Sequence, residues 1–219
     1  MPRLLWLLCL VNLIIGTGAF VIGGILAPVA EQLAISVPAA GQAMTAYALS
    51  TALLAPVVLL ATGRWPRKRA LLTALALFTL GNLLCALSNS FATLIAGRVL
   101  MGLGAVFTPI AAGIAVASVE PAKRGKALAL TFLGISLSYV IGVPLGSWLG
   151  LAYEWHTPIW VITGLSLLAL IGAALWVPKD IRAPGASFEG LPALLARRDV
   201  LSVLGLTLAY FTAIFAVFS

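Results

Sequence analysis

Arg98 is the only basic residue lying inside a long apolar run of this 219-residue chain, the stretch from Phe91 to Val119. It stands about two helical turns in from the start of that run. On insertion scales a central arginine costs about 2.5–3.5 kcal/mol, and such a cost implies a task. One reading has the guanidinium facing a solute pathway, where it binds an anionic group or controls the protonation of a carboxylate supplied from elsewhere. The structural alternative is that the side chain snorkels outward and caps loop carbonyls or headgroups.

Other chemistries lack their residues. The chain has no Ser, His and Asp set, no His-x-x-x-His pair and no Gly-rich loop ending in Gly-Lys-Ser/Thr. Proteolysis in the membrane and ATP-driven pumping are therefore not expected, and an enzyme is not expected at all. His156 is the single histidine, in a loop without a Cys or carboxylate cluster, and reads as an interfacial residue. Neither a metal site nor a cofactor is expected.

These residues are set in a composition that is 62% hydrophobic and only 9% charged, with a mean hydropathy of +1.14. Soluble domains carry roughly a quarter charged residues, so this is the composition of a polytopic membrane protein. Apolar runs cover Leu4–Pro28, Ala40–Thr62, Ala70–Leu87, Phe91–Val119, Ala127–Leu151, Pro158–Val177 and Leu201–Phe218. At about 1.5 Å per residue each can cross a hydrocarbon core about 30 Å thick. Unpaired backbone amides are too costly there, and period-2 alternation is absent, so the spans are expected to be α-helical.

Twelve of the 13 Lys and Arg residues fall at the N-terminus or in alternate gaps: Arg3; Arg64, Arg67, Lys68 and Arg69; Lys123, Arg124 and Lys126; Lys179, Arg182, Arg197 and Arg198. Basic loops resist translocation, so these regions, including the N-terminus, are expected in the cytoplasm, with the loops around Glu31, Ser88 and Glu154 outside. The expected location is a bacterial-type cytoplasmic (inner) membrane. This sorting accounts for the net charge of +7 and leaves no basic patch interleaved with aromatics for nucleic acid.

The start Met1-Pro2-Arg3 resembles a secretory signal, but the apolar character continues to Ala30, past an h-region of about 7–15 residues. A retained first span is expected. Cys9 then lies near its inner end and Cys85 near the outer end of the third span, too far apart in depth for a disulfide.

The organisation expected is a six-helix bundle over 1–177, a cytoplasmic linker over 178–200 and a seventh helix over 201–219. That last run ends without a polar flank, so the sequence reads as the first half of a longer protein, its partner a missing C-terminal half or a second copy. Spans one to three and four to six would start on opposite sides, as in the inverted repeats of secondary transporters. Gly142, Gly146 and Gly150 repeat every four residues and share one face of the fifth span, Gly134 precedes them in the same motif, and Pro144 should kink the helix. A tight helix crossing is the ordinary reading of that face.

Several segments, taken in order, resemble the N-terminal half of a major facilitator superfamily transporter, in the twelve-span drug and sugar efflux branch of arabinose-efflux-like permeases. Gly134 to Gly150 is similar to that branch's antiporter motif. Gly63-Arg64-Trp65-Pro66-Arg67-Lys68-Arg69 resembles the basic gating loop between spans two and three, and Arg98-Val-Leu-Met-Gly102-Leu-Gly104 the span-four motif. Pro121-Ala-Lys123-Arg124-Gly125-Lys126 resembles the turn into span five, and Thr45-Ala-Tyr47-Ala-Leu49 the family's span two.

The resemblance implies an all-α half-bundle of two inverted three-helix repeats that exports a small organic solute by alternating access, proton-coupled when complete. It implies Asn12, Thr17 and Phe20 as cavity contacts with Gln42, Tyr47, Ser138 and Tyr139 nearby, and it strengthens the pathway reading of Arg98. Each of these polar side chains also has a structural alternative, bonding its own helix backbone or bridging helices. The chain departs from the family pattern at Gly63 and Pro66, where the loop often carries Asp and Gly, and at Ala19, where the efflux branch often has an acid. A carboxylate at 19 would be a natural proton site, so a gradient-driven facilitator without proton coupling stays open. So does an inactive bundle acting only through helix–helix contact.

Overall fold

The computed structural model describes residues 2–179, 181 and 196–218, and every regular element among them is helical. The chain divides into two compact units, Met1–Pro184 and Gly185–Ser219. The first contains six helices long and apolar enough to cross a membrane: α1 Arg3–Gln32, α2 Val37–Ala61, α3 Arg67–Ala86, α4 Phe91–Ala117, α5 Pro121–Ala152 and α6 His156–Trp176. The second contains α7, Arg198–Phe218, whose first turn carries Asp199, an acid favourable to the helix dipole. Most of the linker expected at 178–200 lies outside the described residues.

Ser36 and Ser90 start two of the spans. Their hydroxyl oxygens accept from the Ala39 and Thr93 amides at 3.2 and 3.3 Å, satisfying donors that have no intrahelical partner.

Four spans are interrupted and two are not. α1 tightens into a 3-10 turn over Val21–Ile25 and resumes as Leu26–Gln32. α2 breaks at Leu54 and resumes as Ala55–Ala61, and α4 breaks at Ala105 and Val106 and resumes as Phe107–Ala117. α5 opens into a π-turn over Ser138–Gly142 and resumes as Val143–Ala152. Pro28, Pro56, Pro109 and Pro144 each sit in the first turn of the resumed segment. First-turn amides have no helical acceptor, so a residue without an N–H is tolerated there. α3 and α6 run without a break.

α1 packs along α5 and α6, α4 along α2 and α3, and α3 along α6. Leu8, Val11, Leu71, Leu75, Phe78, Phe107 and Ile114 fill the core between them. α2 and α5 bury only 17% of their apolar windows inside the unit against 67% for α1, so these two helices present the most open faces.

Candidate functional site

Arg98 sits in the first half of α4, on the face turned toward α1 and α2, and is 2% exposed. Nε donates to the Ala43 carbonyl of α2 at 3.1 Å; Nη1 donates to Gly18 and Nη2 to Ala19 of α1, at 2.9 and 2.5 Å. The guanidinium also lies 4.8 Å from the ring centroid of Tyr47, so the cation is held by carbonyl dipoles and a π face. The planar fork of donors makes this possible, because one side chain reaches acceptors on two helices. Gly18 and Ala19 lie just before the 3-10 turn of α1, where the change of helical register alters the demand on backbone carbonyls. The void beside Arg98 is about 10 Å³, close to the volume one water needs, and is bordered by Gly18, Asn82, Cys85 and Met101.

The other candidates fall into three groups. Asn12 is fully buried and bridges helices: its Nδ2 donates to the Thr131 carbonyl of α5 at 2.9 Å, and its Oδ1 accepts from the Thr108 hydroxyl of α4 at 2.9 Å. Thr17 and Ser138 donate to their own helices, to Leu13 at 2.8 Å and Ile135 at 2.7 Å. Phe20 and Tyr139 are half-buried and pair with ring centroids 5.1 Å apart, while Gln42 is exposed on α2. Arg98 and Tyr47 thus share one site, Phe20 and Tyr139 another, and Asn12 a third between α1, α4 and α5.

Sequence reasoning did not name Thr108 and Thr131, although each is a polar residue in an apolar run, which is the signal that marks them. It also did not name Ser50, whose hydroxyl donates across to the Val99 carbonyl of α4 at 2.6 Å.

The glycine face of α5 meets α1. A Cβ built on Gly134 would strike the backbone of Cys9 and Leu13; on Gly142 it would strike Thr17, on Gly146 Val21, and on Gly150 Ile25. The pairs 134 and 9, 142 and 17, 146 and 21, and 150 and 25 all differ by 125, so the two helices run parallel in one register through both interruptions. Ser138 against Gly16 and Ser147 against Gly24 fill the same seam from the other side. Close backbone approach of this kind is what holds helices together in lipid. Pro144 lies just past the π-turn, which takes up the missing amide of the proline.

In the basic loop Arg67 turns inward, 6% exposed, and donates to the Gly63 carbonyl at 2.8 Å. Arg69 stacks over Trp65 at 4.6 Å, and Arg64 is exposed. At the opposite end His156 Nε2 lies 2.9 Å from the Ser88 carbonyl, so the proton is on Nε2, and its ring stacks on Trp155 at 3.6 Å. Cys9 and Cys85 are both buried and free.

Residues 8–219 match the family model described as Major Facilitator Superfamily. The chain is 32% identical over 208 residues to the uncharacterized MFS-type transporter YbcL of Bacillus subtilis, covering 94% of this chain and 53% of that protein. It is 33% identical over 193 residues to a chloramphenicol resistance protein of Streptomyces lividans, covering 88% and 49%. The chain therefore spans about half the length of the curated relatives it matches. A crystal structure of the peptide transporter POT with sulfate superposes with a TM-score of 0.70 at 17% identity, covering 98% of this chain and 46% of that one. That likeness concerns the fold alone.

Proposed function

The chain belongs to the major facilitator superfamily and is a multi-pass membrane protein, and we propose that it forms the N-terminal half of a secondary transporter exporting a small organic solute. The observation that carries this reading is the division of the spans. α1, α2, α4 and α5 are each interrupted and restarted on a first-turn proline, whereas α3 and α6 are continuous. Interrupted helices bend where backbone hydrogen bonds are already rearranged, which is what alternating access asks of the helices around a solute.

In this reading Arg98 is the coupling residue, because it joins the break in α1 to α2 and α4. An anion, or a carboxylate that has given up its proton, arriving near it would compete with the Gly18, Ala19 and Ala43 carbonyls for the guanidinium and free α1 to move. Phe20 and Tyr139 offer an aromatic wall for the solute, and Gln42, Tyr47, Thr17 and Asn12 the polar contacts. The loop Gly63 to Arg69 serves as the cytoplasmic gate, in a cytoplasmic (inner) membrane with the N-terminus inside. The chloramphenicol relative supplies a test solute, a neutral nitroaromatic amide.

Among the described residues, the one acid within the spans α1 to α6 is Glu31, in the last turn of α1. Proton coupling would therefore draw its carboxylate from outside this half, and facilitation without proton coupling is the second reading. The test is chloramphenicol accumulation in cells expressing the chain together with a C-terminal half, with and without a protonophore. Reduced accumulation that the protonophore abolishes supports proton-coupled export, and reduced efflux time constants insensitive to it support facilitation. Efflux indifferent to the C-terminal half would make a second copy the partner, and efflux absent for a panel of small solutes even with that half sinks the transporter reading in favour of a bundle that only binds other helices.

A further inference from the structure

A groove of about 580 Å³ opens between the first turn of α3 and the last turns of α6. Lys68, Arg69 and Lys179 line it at the helix ends, beside Pro66, and Leu72, Thr73, Ala76 and Leu170 line it further into the spans. Lys68, Leu72 and Ala76 follow at four-residue steps and so lie on one face of α3, charge at the helix end and apolar surface below it. The ion pairs among the described residues are Lys123 with Glu120 and Arg197 with Asp199, so none of the three groove cations is neutralised by one. The stacking of Arg69 on Trp65 fixes the guanidinium plane while leaving its edge to meet an anion. Arg67, turned inward to Gly63, is not part of the groove.

We infer that this groove is a binding site for an anionic phospholipid, with the phosphate on Lys68, Arg69 and Lys179 and an acyl chain along Leu72, Ala76 and Leu170. The inference rests on the reading that the Arg64 to Arg69 loop lies at the cytoplasmic face, and it adds a ligand that the transport reading does not require. Three cations from two helix ends match one phosphate, and basic pockets between helices at the cytoplasmic face recognise anionic headgroups. A free phosphate shares that chemistry, but it has no use for an apolar lining one turn in from the charge.

The experiment is native mass spectrometry of the full chain released from detergent with phosphatidylglycerol or phosphatidylcholine. The groove variant is Lys68→Gln, Arg69→Gln and Lys179→Gln together. Its control, Lys123→Gln, Arg124→Gln and Lys126→Gln, removes the same charge from another basic loop. The expected result is that wild type and control prefer phosphatidylglycerol, while the groove variant loses that preference by about tenfold relative to the control. The pair Lys68→Arg with Lys179→Arg, which keeps the charge, should retain it and separates loss of charge from loss of fold.

Equal loss in both triple variants would overturn the site in favour of general surface charge. Displacement of phosphatidylglycerol by inorganic phosphate at equal concentration would overturn the lipid in favour of a bare anion. Labelling of Arg64→Cys by a membrane-impermeant maleimide in intact cells would refute the cytoplasmic placement while leaving the lipid preference standing, so the two failures are told apart.

Discussion

Arg98 Nη2 donates to the carbonyl oxygen of Ala19 at 2.5 Å, two residues ahead of the 3-10 turn that begins at Val21. The position where the efflux branch often places a carboxylate thus contributes its backbone oxygen to the same arginine. A buried charge is held here by three carbonyls on two helices instead of by one acid, and each of those carbonyls would be left without this donor if the side chain were removed.

Arg98→Ala is expected to cost about 2 kcal/mol of stability, since hydrogen bonds from a charged group contribute about 1.5–3 kcal/mol each and relief from burying the charge offsets part of that. Arg98→Lys keeps the charge but replaces a planar fork with a point charge that cannot serve Gly18, Ala19 and Ala43 in the same geometry. It should fall between wild type and alanine. Thermal unfolding in detergent measures the first effect. Solute efflux by a full-length version measures the second, with at least a tenfold loss expected for alanine. Unchanged efflux and unchanged pH dependence in Arg98→Ala would end the coupling role.

Gly134→Ala places a methyl group on the backbone of Cys9, which cannot move aside as a side chain would. Separating α1 from α5 should cost about 1–3 kcal/mol, as overpacking generally does. Gly164 in α6 has nothing within 4 Å of its added Cβ, so Gly164→Ala should be neutral or slightly stabilising through helix propensity. A side-by-side comparison of unfolding temperatures decides it: equal effects at the two positions would mean that the α1 and α5 seam is not close-packed.

Asn12 joins α1 to α4 and α5 through two hydrogen bonds, and such interhelical bonds in a bilayer average about 0.6 kcal/mol with a maximum near about 1.7. Asn12→Ala should therefore lose about 1 kcal/mol. Thr108→Val should lose less, and the double variant should lose less than the sum because the two share a bond. A double-mutant cycle from chemical unfolding in mixed micelles gives the coupling, and strict additivity would show that the bond contributes nothing.

The spans were legible because apolar length alone sets them, and the glycine face of α5 was legible because its four-residue spacing is a property of one helix. Its partner was not, since sequence gives a face and not the surface it meets; only the constant offset to Cys9, Thr17, Val21 and Ile25 identifies α1. Pro28 reads in the sequence as the end of the first span, yet α1 continues to Gln32, because the 3-10 turn restarts the helix and puts the proline where no amide is needed. The cost of Arg98 was legible and its solution was not. Carbonyls of Gly18, Ala19 and Ala43 belong to every residue type and leave no mark in the sequence.

The orientation inferred from basic residues is open to a direct check, and the structure makes the check clean. Cys9 and Cys85 are 3% and 1% exposed, so they give little background to a membrane-impermeant maleimide. Arg64 and Asn89 are exposed and sit at opposite ends of α3, one in the basic loop and the other in the loop before α4. Positive charge near a span end opposes translocation, which assigns Arg64 to the inside and Asn89 to the outside. Asn89→Cys should then label in intact spheroplasts and Arg64→Cys only in inverted vesicles. Labelling of both from one side would mean that α3 does not cross the bilayer, and the reverse pattern would invert the protein, turning the groove cations and the gate loop outward together.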